Sequence, residues 1–223
     1  QGDGLVSKFW VNLARQSQQV LEEDVLFLAD SAIKKCKSKN LAYAGGVALS
    51  CITNRKVIDA GLVDNLFVQP ASSDEGIALG CALLGYYLEG GKKRKVLDGG
   101  YLGRKYDATD FSKAFKNTKL HTKKSSNQEV AKLISEGNIV ARYSSQSEYG
   151  PRALGNRSIL ADPRRPEMTD ILNRRVKHRE GFRPFAPSVL DREANTYFEM
   201  PFPGPYMNIA APVRSEFRKL IPA

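Results

Sequence analysis

The amino-acid sequence predicts an α/β fold with a parallel or mixed sheet. The prediction depends on a pattern that occurs twice, at 40–60 and at 65–88: a short apolar run, then a turn, then helical spacing. Repeated strand–turn–helix units of this kind place their strands side by side in one sheet. The second helical stretch, 77–88, is so apolar that we expect it to be buried.

Further elements are predicted on both sides of these two units. Apolar residues at helical spacing indicate a long amphipathic helix from Lys8 to Lys37. Gly137 is placed to end a helix that precedes an apolar strand. The elements predicted after residue 126 are helices at 127–136 and 167–176 and strands at 139–143, 159–161 and 185–190.

A polar stretch divides the chain into two predicted domains. Residues 90–126 are rich in Gly, Lys, Asp, Ser and Thr and contain few apolar clusters. We therefore assign 1–95 to a first domain, 96–126 to a linker and 127–223 to a second domain.

Composition limits the class of protein. With 223 residues and 42% hydrophobic residues the chain can bury a normal core. It lacks both a secretory leader and an apolar run of roughly 18 residues, which predicts a cytoplasmic protein with no membrane partner. The three cysteines, Cys36, Cys51 and Cys81, lie in apolar surroundings and are predicted to be reduced core residues.

The net charge of +10 suits either a nucleic-acid binder or an enzyme with phosphate ligands. Arginine dominates from 142 to 183, where it alternates with Gly, Pro and Asn. Guanidinium groups hold phosphate or carboxylate in two-point contacts, and glycines let backbone amides approach a ligand. The stretch from Glu148 to Arg183 therefore predicts anion binding.

Two candidate sites in the first domain leave alternatives open. The Gly45-Gly46 turn between a strand and a helix either brings backbone amides to a nucleotide or is only a tight turn. Asp74, at the end of the next strand, either binds a metal or caps the helix that follows. Because the two strands are predicted to be parallel, we expect Asp74 to lie opposite the glycine turn.

Three segments together resemble one known family. The first is Gly-Pro-Arg-Ala-Leu-Gly-Asn-Arg-Ser at 150–158, followed by Leu-Ala-Asp-Pro-Arg at 160–164. The second runs over 176–187 and ends in Phe-Arg-Pro-Phe-Ala-Pro; the third combines Ala-Gly-Gly-Val-Ala-Leu at 44–49 with Asp-Glu-Gly at 74–76. Over nearly the whole chain they resemble the nodulation and antibiotic O-carbamoyltransferases.

The resemblance implies a fold and an activity. It implies that the chain holds a partial actin-like ATPase (ASKHA) lobe followed by an α+β YrdC-like domain. The YrdC-like domain of the family forms carbamoyl adenylate from carbamoyl phosphate and ATP. The actin-like domain passes the carbamoyl group to a small-molecule hydroxyl beside a divalent metal. The resemblance also implies a fragment, which starts inside the first family domain and ends inside the second.

The resemblance assigns roles to individual residues. Catalytic contacts to phosphate oxygens are expected from Arg152, Arg157 and Arg183, and catalytic His178 either donates to a departing phosphate or orients a neighbouring residue. ATP is expected to meet five residues, Gly45, Gly46, Asn54, Asn156 and Ser158, and the divalent metal to meet Asp74.

Departures from the family pattern keep a second function in view. The family's Gln-Gly-Arg-x-Glu run reads Ser144 to Glu148 here, with Ser145 in place of glycine and Gln146 in place of arginine. The family's His-x-x-x-His metal pair is absent from the sequence. A non-catalytic nucleotide- or RNA-binding module is therefore the alternative. Nucleic acid is disfavoured because no aromatic residues are interleaved with the basic ones, and an oligomer is left open.

Overall fold

The computed structural model describes residues 7–93, 99–121, 123–201 and 203–223. The chain divides into two compact units, which we call unit 1 (Gln1–Lys93 with Asn208–Ala210) and unit 2 (Arg94–Met207 with Ala211–Ala223). The predicted domain boundary at 95/96 lies outside the described residues. The predicted domain bounds stay a prediction.

Unit 1 is built from helices and a parallel pair of strands. In β1 and β2, Asn40 pairs with Asn65 and Tyr43 with Val68. The parallel pairing predicted from the repeated strand–turn–helix pattern is therefore confirmed. The elements of unit 1 are α1 (Lys8–Cys36), β1 (Asn40–Tyr43), a 3₁₀ turn (Gly46–Leu49), α2 (Cys51–Asp59), β2 (Asn65–Val68) and α3 (Asp74–Leu88).

The helical part of the first strand–turn–helix unit, predicted to follow Gly46 and to end near residue 60, is divided at Ser50. The backbone of Ser50 is extended, and its hydroxyl accepts a hydrogen bond from the Thr53 amide at 3.5 Å. A serine in this conformation starts a new helix by capping it. The Thr53 hydroxyl in turn accepts from Gln18 Nε2 at 3.2 Å, which joins α1 to α2.

The helix α3 forms as predicted, but the expectation that it is buried is wrong. It buries none of its residues, and Ile77, Leu84 and Leu88 are 61%, 59% and 75% exposed. Two strands make a sheet only about 10 Å wide, which covers little of a helix face. An apolar helix is buried only where another part of the protein packs against it, and the sequence of the helix does not show whether that is so.

The cysteines are free, as predicted, but they are not core residues. Cys36 and Cys81 are exposed and Cys51 is half-buried. Cys36 ends α1 and Cys81 lies on the exposed α3, so their positions on the helices explain the error.

Unit 1 also contains a short segment from late in the sequence, Asn208–Ala210. Asn208 is buried, and its Nδ2 donates to the carbonyl of Val68 at 2.9 Å. The Ala210 amide donates to the carbonyl of Cys51 at 3.1 Å. These bonds attach the segment to the end of β2 and the start of α2.

Unit 2 combines short helices with an antiparallel pair of strands. In β3 and β4, Val140 pairs with Leu160 and Tyr143 with Arg157. The helix and strands predicted over 127–161 are confirmed with small shifts of their ends. The elements of unit 2 are α4 (Ala108–Phe115), α5 (Asn127–Ser135), β3 (Val140–Tyr143), β4 (Arg157–Leu160), α6 (Met168–Leu172), a π-helical turn (Asn173–Lys177) and α7 (Ala194–Tyr197).

One expectation for unit 2 is wrong. The segment 185–190 forms no strand, because prolines at 184 and 187 cannot donate to a β ladder. The stretch 96–126, expected to be a linker, contains α4, whose capping residue Asp107 accepts hydrogen bonds from the amides of Thr109 and Asp110. Among the described helices, none is both long and apolar enough to span a bilayer.

Candidate functional site

A buried carboxylate organises the glycine-rich loop at 148–157, which we call the Glu148 loop. Glu148 Oε1 accepts hydrogen bonds from the amides of Leu154, Asn156 and Arg157 at 2.8, 2.6 and 3.2 Å. Glu148 Oε2 accepts from Arg157 Nε at 2.9 Å, and the side chain of Glu148 is fully buried. A single side chain therefore bonds to three amides and a guanidinium.

The hydrogen bonds determine the charge state of Glu148. Burial alone would raise the pKa of this carboxyl. The Arg157 guanidinium and the amides of Glu148, Leu154 and Asn156 stabilise the anion more strongly, and they lower the pKa to about 2. Glu148 is therefore ionised at every pH at which the protein is normally studied.

Four amides of the Glu148 loop are bonded within the protein. Those of Leu154, Asn156 and Arg157 are bonded to Glu148, and the Gly155 amide donates to Ser158 Oγ at 2.9 Å. An internal carboxylate and a hydroxyl thus accept hydrogen bonds from these four donors.

Three predicted site residues also serve this loop. Arg157 Nη2 donates to the Glu148 carbonyl at 2.8 Å, so its guanidinium is held twice by one residue. Asn156 Nδ2 donates to the Gln146 carbonyl at 2.8 Å, and Ser158 accepts from the Gly155 amide. The structure brings Asn156, Arg157 and Ser158 together, and their observed contacts stabilise the loop.

Ser145 shows why the family pattern has glycine at its position. The backbone φ of Ser145 is 53°, in the left-handed region that glycine adopts without steric cost. For other residues this conformation costs roughly 1–2 kcal/mol. The departure from the pattern therefore strains the backbone at Ser145.

Arg152 differs from the other arginines of the motif. It is exposed, and no described residue lies within hydrogen-bond or ion-pair distance of its guanidinium. By contrast, Arg164 makes a two-point contact with Asp162, at 2.9 and 2.7 Å. The loop thus presents Arg152 as a cation that no neighbour neutralises.

A second cluster follows α6, where the helix widens into the π-helical turn. Asn173 is fully buried in this turn, and its Nδ2 donates to the carbonyl of Arg183 at 3.0 Å. Its Oδ1 accepts from Arg179 Nε at 2.7 Å. Such widened turns are frequent at functional sites.

His178 and Arg183 line one open cleft of about 530 Å³, together with Arg179 and Glu180. His178 ends the π-helical turn in a left-handed conformation, with φ 48°. Arg183 Nε pairs with Glu180 Oε2 at 2.8 Å, and both side chains are about half exposed. The structure therefore brings His178 and Arg183 together in this cleft, and neither residue takes part in the contacts of the Glu148 loop.

In unit 1 the two predicted turns lie side by side. The Gly45 amide donates to the Ser72 carbonyl at 2.7 Å, and a Cβ on Gly46 would lie 3.7 Å from Ser73 Oγ. Asp74 is exposed and is the first residue of α3, with Ser73 in the capping position. The expected proximity of Asp74 to the glycine turn follows from this geometry.

Asn54 is a buried connector. Its Nδ2 donates to the carbonyls of Ala48 and Asn208 at 2.8 and 2.7 Å, while its Oδ1 is buried without a partner. Asn54 therefore holds the 3₁₀ turn from below, and Gly45 and Gly46 form the exposed part of this candidate site.

For the divalent metal, the described residues do not provide a complete site. Within 7–93, 99–121, 123–201 and 203–223, no three His, Cys, Asp or Glu side chains lie together as metal ligands. Asp74 supplies one carboxylate, which is too few for a bound divalent ion.

Sequence reasoning missed three residues that build these clusters. Glu148 was named as the edge of the stretch without a role, and Asn173 and Arg179 were given none. Asn173 carried a signal, because asparagine in a helix interior is unfavourable unless its side chain bonds to nearby backbone. Glu148 had no comparable signal, since its partners come from the loop's three-dimensional path.

The structure is that of an α/β protein with two arginine clusters in unit 2. Comparison with known families identifies the class. Residues 7–83 match the carbamoyltransferase N-terminus and residues 131–223 match the carbamoyltransferase C-terminus. The chain therefore belongs to the carbamoyltransferase family, a family of transferase enzymes.

Three relatives are similar to most of this chain. Nodulation protein NolNO of Sinorhizobium fredii is 38% identical over 221 residues, covering 95% of this chain and 32% of that protein. Nodulation protein NolO of Bradyrhizobium diazoefficiens is 39% identical over 207 residues, covering 88% of this chain and 38% of that protein. An uncharacterised protein of Synechocystis sp. is 37% identical over 219 residues, covering 93% and 36%. The chain spans about a third of the length of these curated relatives.

Proposed function

We propose that the chain is part of an ATP-dependent carbamoyltransferase that transfers the carbamoyl group to a small-molecule hydroxyl. In this proposal unit 2 belongs to a YrdC-like domain that forms carbamoyl adenylate, and unit 1 belongs to an actin-like lobe that carries out the transfer. Carbamoyl phosphate, ATP and one water would give carbamoyl adenylate, pyrophosphate and phosphate. Membership of the carbamoyltransferase family supports the proposal.

The observation that carries the proposal is the state of Arg152. It stands on a loop that Glu148 holds rigid, and no described residue neutralises its charge. The loop fixes the backbone of Arg152, and a guanidinium whose charge is not already paired can stabilise the charge that develops on phosphate oxygens. Arg152 is thus suited to bind carbamoyl phosphate.

The second cluster supplies further contacts in this proposal. Arg183 can exchange its half-exposed partner Glu180 for a phosphate, because exposed ion pairs contribute little. His178, in the same cleft, can donate a hydrogen bond to a departing phosphate oxygen. Arg157 acts in the proposal by holding the Glu148 loop.

Unit 1 would receive the nucleotide. The exposed Gly45-Gly46 turn has open space above Gly45, where an added Cβ would meet nothing within 4 Å. A sugar or phosphate can therefore approach its backbone. In this proposal the adenosine part of carbamoyl adenylate, formed from ATP by the YrdC-like domain, binds at this surface while the carbamoyl group passes to the acceptor hydroxyl. Asp74 would contribute one ligand to a divalent metal.

Pyrophosphate release tests the proposal. The protein that carries this chain should release pyrophosphate from ATP only when carbamoyl phosphate is present. Arg152→Ala should lower the rate by about 10²–10³-fold, as expected for loss of one positioned donor to a developing charge. Circular dichroism should show an unchanged fold.

Arg192→Ala is the matched control, because the Arg192 side chain is 77% exposed and pairs only weakly with its neighbour Glu193. Its rate should equal that of the wild type. Pyrophosphate release without carbamoyl phosphate, or an unchanged rate in Arg152→Ala, would contradict the proposal. So would tight, salt-sensitive binding of single-stranded RNA without binding of ATP.

A further inference from the structure

We propose that Asn173 and Arg179 are positioning residues that hold His178 and Arg183 in place to bind the phosphate group of carbamoyl phosphate. This inference rests on the proposed function, because it takes His178 and Arg183 to meet that phosphate. Neither positioning residue is required to touch it. Their contacts are internal to the segment 173–185, which we call the clamp segment.

The Asn173 side chain is fully engaged within the clamp segment. Its Nδ2 reaches the carbonyls of Gly181 and Arg183 at 3.4 and 3.0 Å, and its Oδ1 accepts from Arg179 Nε at 2.7 Å. Since Asn173 is fully buried, water cannot replace these bonds when they are lost. Aspartate could not donate to the two carbonyls, and alanine would leave them unpaired.

Arg179 connects both ends of the same segment. Its amide donates to the Asn173 carbonyl at 3.1 Å, and its Nη2 donates to the Pro184 carbonyl at 3.1 Å. Its guanidinium also lies 4.7 Å from the centre of the Phe185 ring. A planar guanidinium makes these contacts at the same time, whereas a lysine ammonium cannot.

The clamp has a specific consequence for His178. The residue lies directly between the π-helical turn and Arg179, with φ 48° and ψ 50°. A residue other than glycine keeps this strained conformation only where its surroundings impose it, at a cost of order 1–3 kcal/mol. The bonds of Arg179 to Asn173 and Pro184 impose it, and they thereby direct His178 to the cleft.

The same clamp separates two roles among neighbouring arginines. Arg179 is half-buried, and its donors are bonded to Asn173 and Pro184. Arg183 is exposed, and its carbonyl is held by Asn173, while among the described residues its guanidinium pairs only with the half-exposed Glu180. Asn173 therefore fixes the backbone of Arg183 and leaves its charge available for an anion.

The histidines make the inference directly testable. The chain has only two, His121 and His178. Imidazole NMR signals can therefore report the clamp segment through His178, with His121 as an internal reference. The probe is carbamoyl phosphate, titrated into the wild-type chain and into the variants Arg179→Lys and Asn173→Ala, with Arg192→Lys as the matched control.

In the wild type and in Arg192→Lys we expect carbamoyl phosphate to shift the His178 signals and leave His121 unchanged. In Arg179→Lys and Asn173→Ala the affinity should fall by about 10–100-fold, as small displacements of binding groups usually cause. The His178 signals of the free variants should already differ from those of the wild type. Circular dichroism checks that each variant is folded. If Asn173→Ala does not fold, Arg179→Lys alone tests the inference.

Two results overturn the inference, and they differ. If the wild type responds and Arg179→Lys binds equally well with an unchanged His178 signal, the clamp has no positioning role, while the proposed function stands. If His178 of the wild type does not respond to carbamoyl phosphate at all, the phosphate site of the proposed function fails and the inference fails with it.

Discussion

Replacing Glu148 by glutamine tests the buried carboxylate that organises the Glu148 loop. Both carboxylate oxygens are occupied, Oε1 by three amides and Oε2 by Arg157 Nε. Glutamine keeps one acceptor oxygen and turns the other position into a donor, which would face a donor of the loop or of Arg157. We therefore expect Glu148→Gln to loosen the loop while the rest of unit 2 stays folded.

The magnitude follows from the pKa of Glu148. The gap between about 2 in the folded protein and the ordinary value of 4.5 corresponds to at most about 3 kcal/mol. The Arg157 side chain is 42% exposed, and solvent screening there lowers the expected loss to about 2 kcal/mol. Because the folded pKa is the lower one, this stabilisation is complete above about pH 4.5 and disappears as the pH falls toward 2.

Amide hydrogen exchange measures the effect locally. The amides of Leu154 and Asn156 donate to Glu148, so their opening free energies should fall by about 2 kcal/mol in Glu148→Gln. Glu136→Gln is the matched control, since its partner Lys132 lies 3.8 Å away and both side chains are exposed. Unchanged protection of both loop amides in Glu148→Gln would refute the reasoning.

Two further substitutions test the strained and the buried positions. Asn54→Ala leaves the carbonyls of Ala48 and Asn208 unpaired, although it also removes a buried oxygen without a partner, so urea denaturation should show a loss of about 2 kcal/mol. A change below about 0.5 kcal/mol would mean that the connector is not needed. Ser145→Gly relieves the strain of a left-handed backbone, so the free energy of unfolding should increase by about 0.5 kcal/mol. The midpoint temperature of thermal unfolding should therefore rise. A lower midpoint would contradict the strain argument.

Local patterns predicted most of the helices and strands. The spacing of apolar residues was sufficient for α1, α2 and α5 and for the pairing of β1 with β2, because each depends on neighbours in sequence or on a repeated unit. The strand expected at 185–190 failed for a local reason as well, since proline withholds a ladder donor. Burial of α3 was not predictable, because it depends on what covers the helix.

The candidate site was predictable in its composition and not in its contacts. The sequence placed arginines, glycines and a histidine in the right two stretches, but it could not show which cations are already paired. Arg157 and Arg152 look alike in the motif, yet one is held by Glu148 and the other has no described partner. That difference arises from the path of the loop, which brings Glu148 Oε2 within 2.9 Å of Arg157.

The segment Asn208–Ala210 has a consequence for recombination between members of this family. It lies late in the sequence, yet its bonds to Asn54, Val68 and Cys51 belong to unit 1. A recombination crossover between residues 93 and 208 would therefore join a foreign Asn208 position to a resident Asn54. Chimeras should keep both asparagines from one parent, and natural recombinants are expected to inherit the pair together.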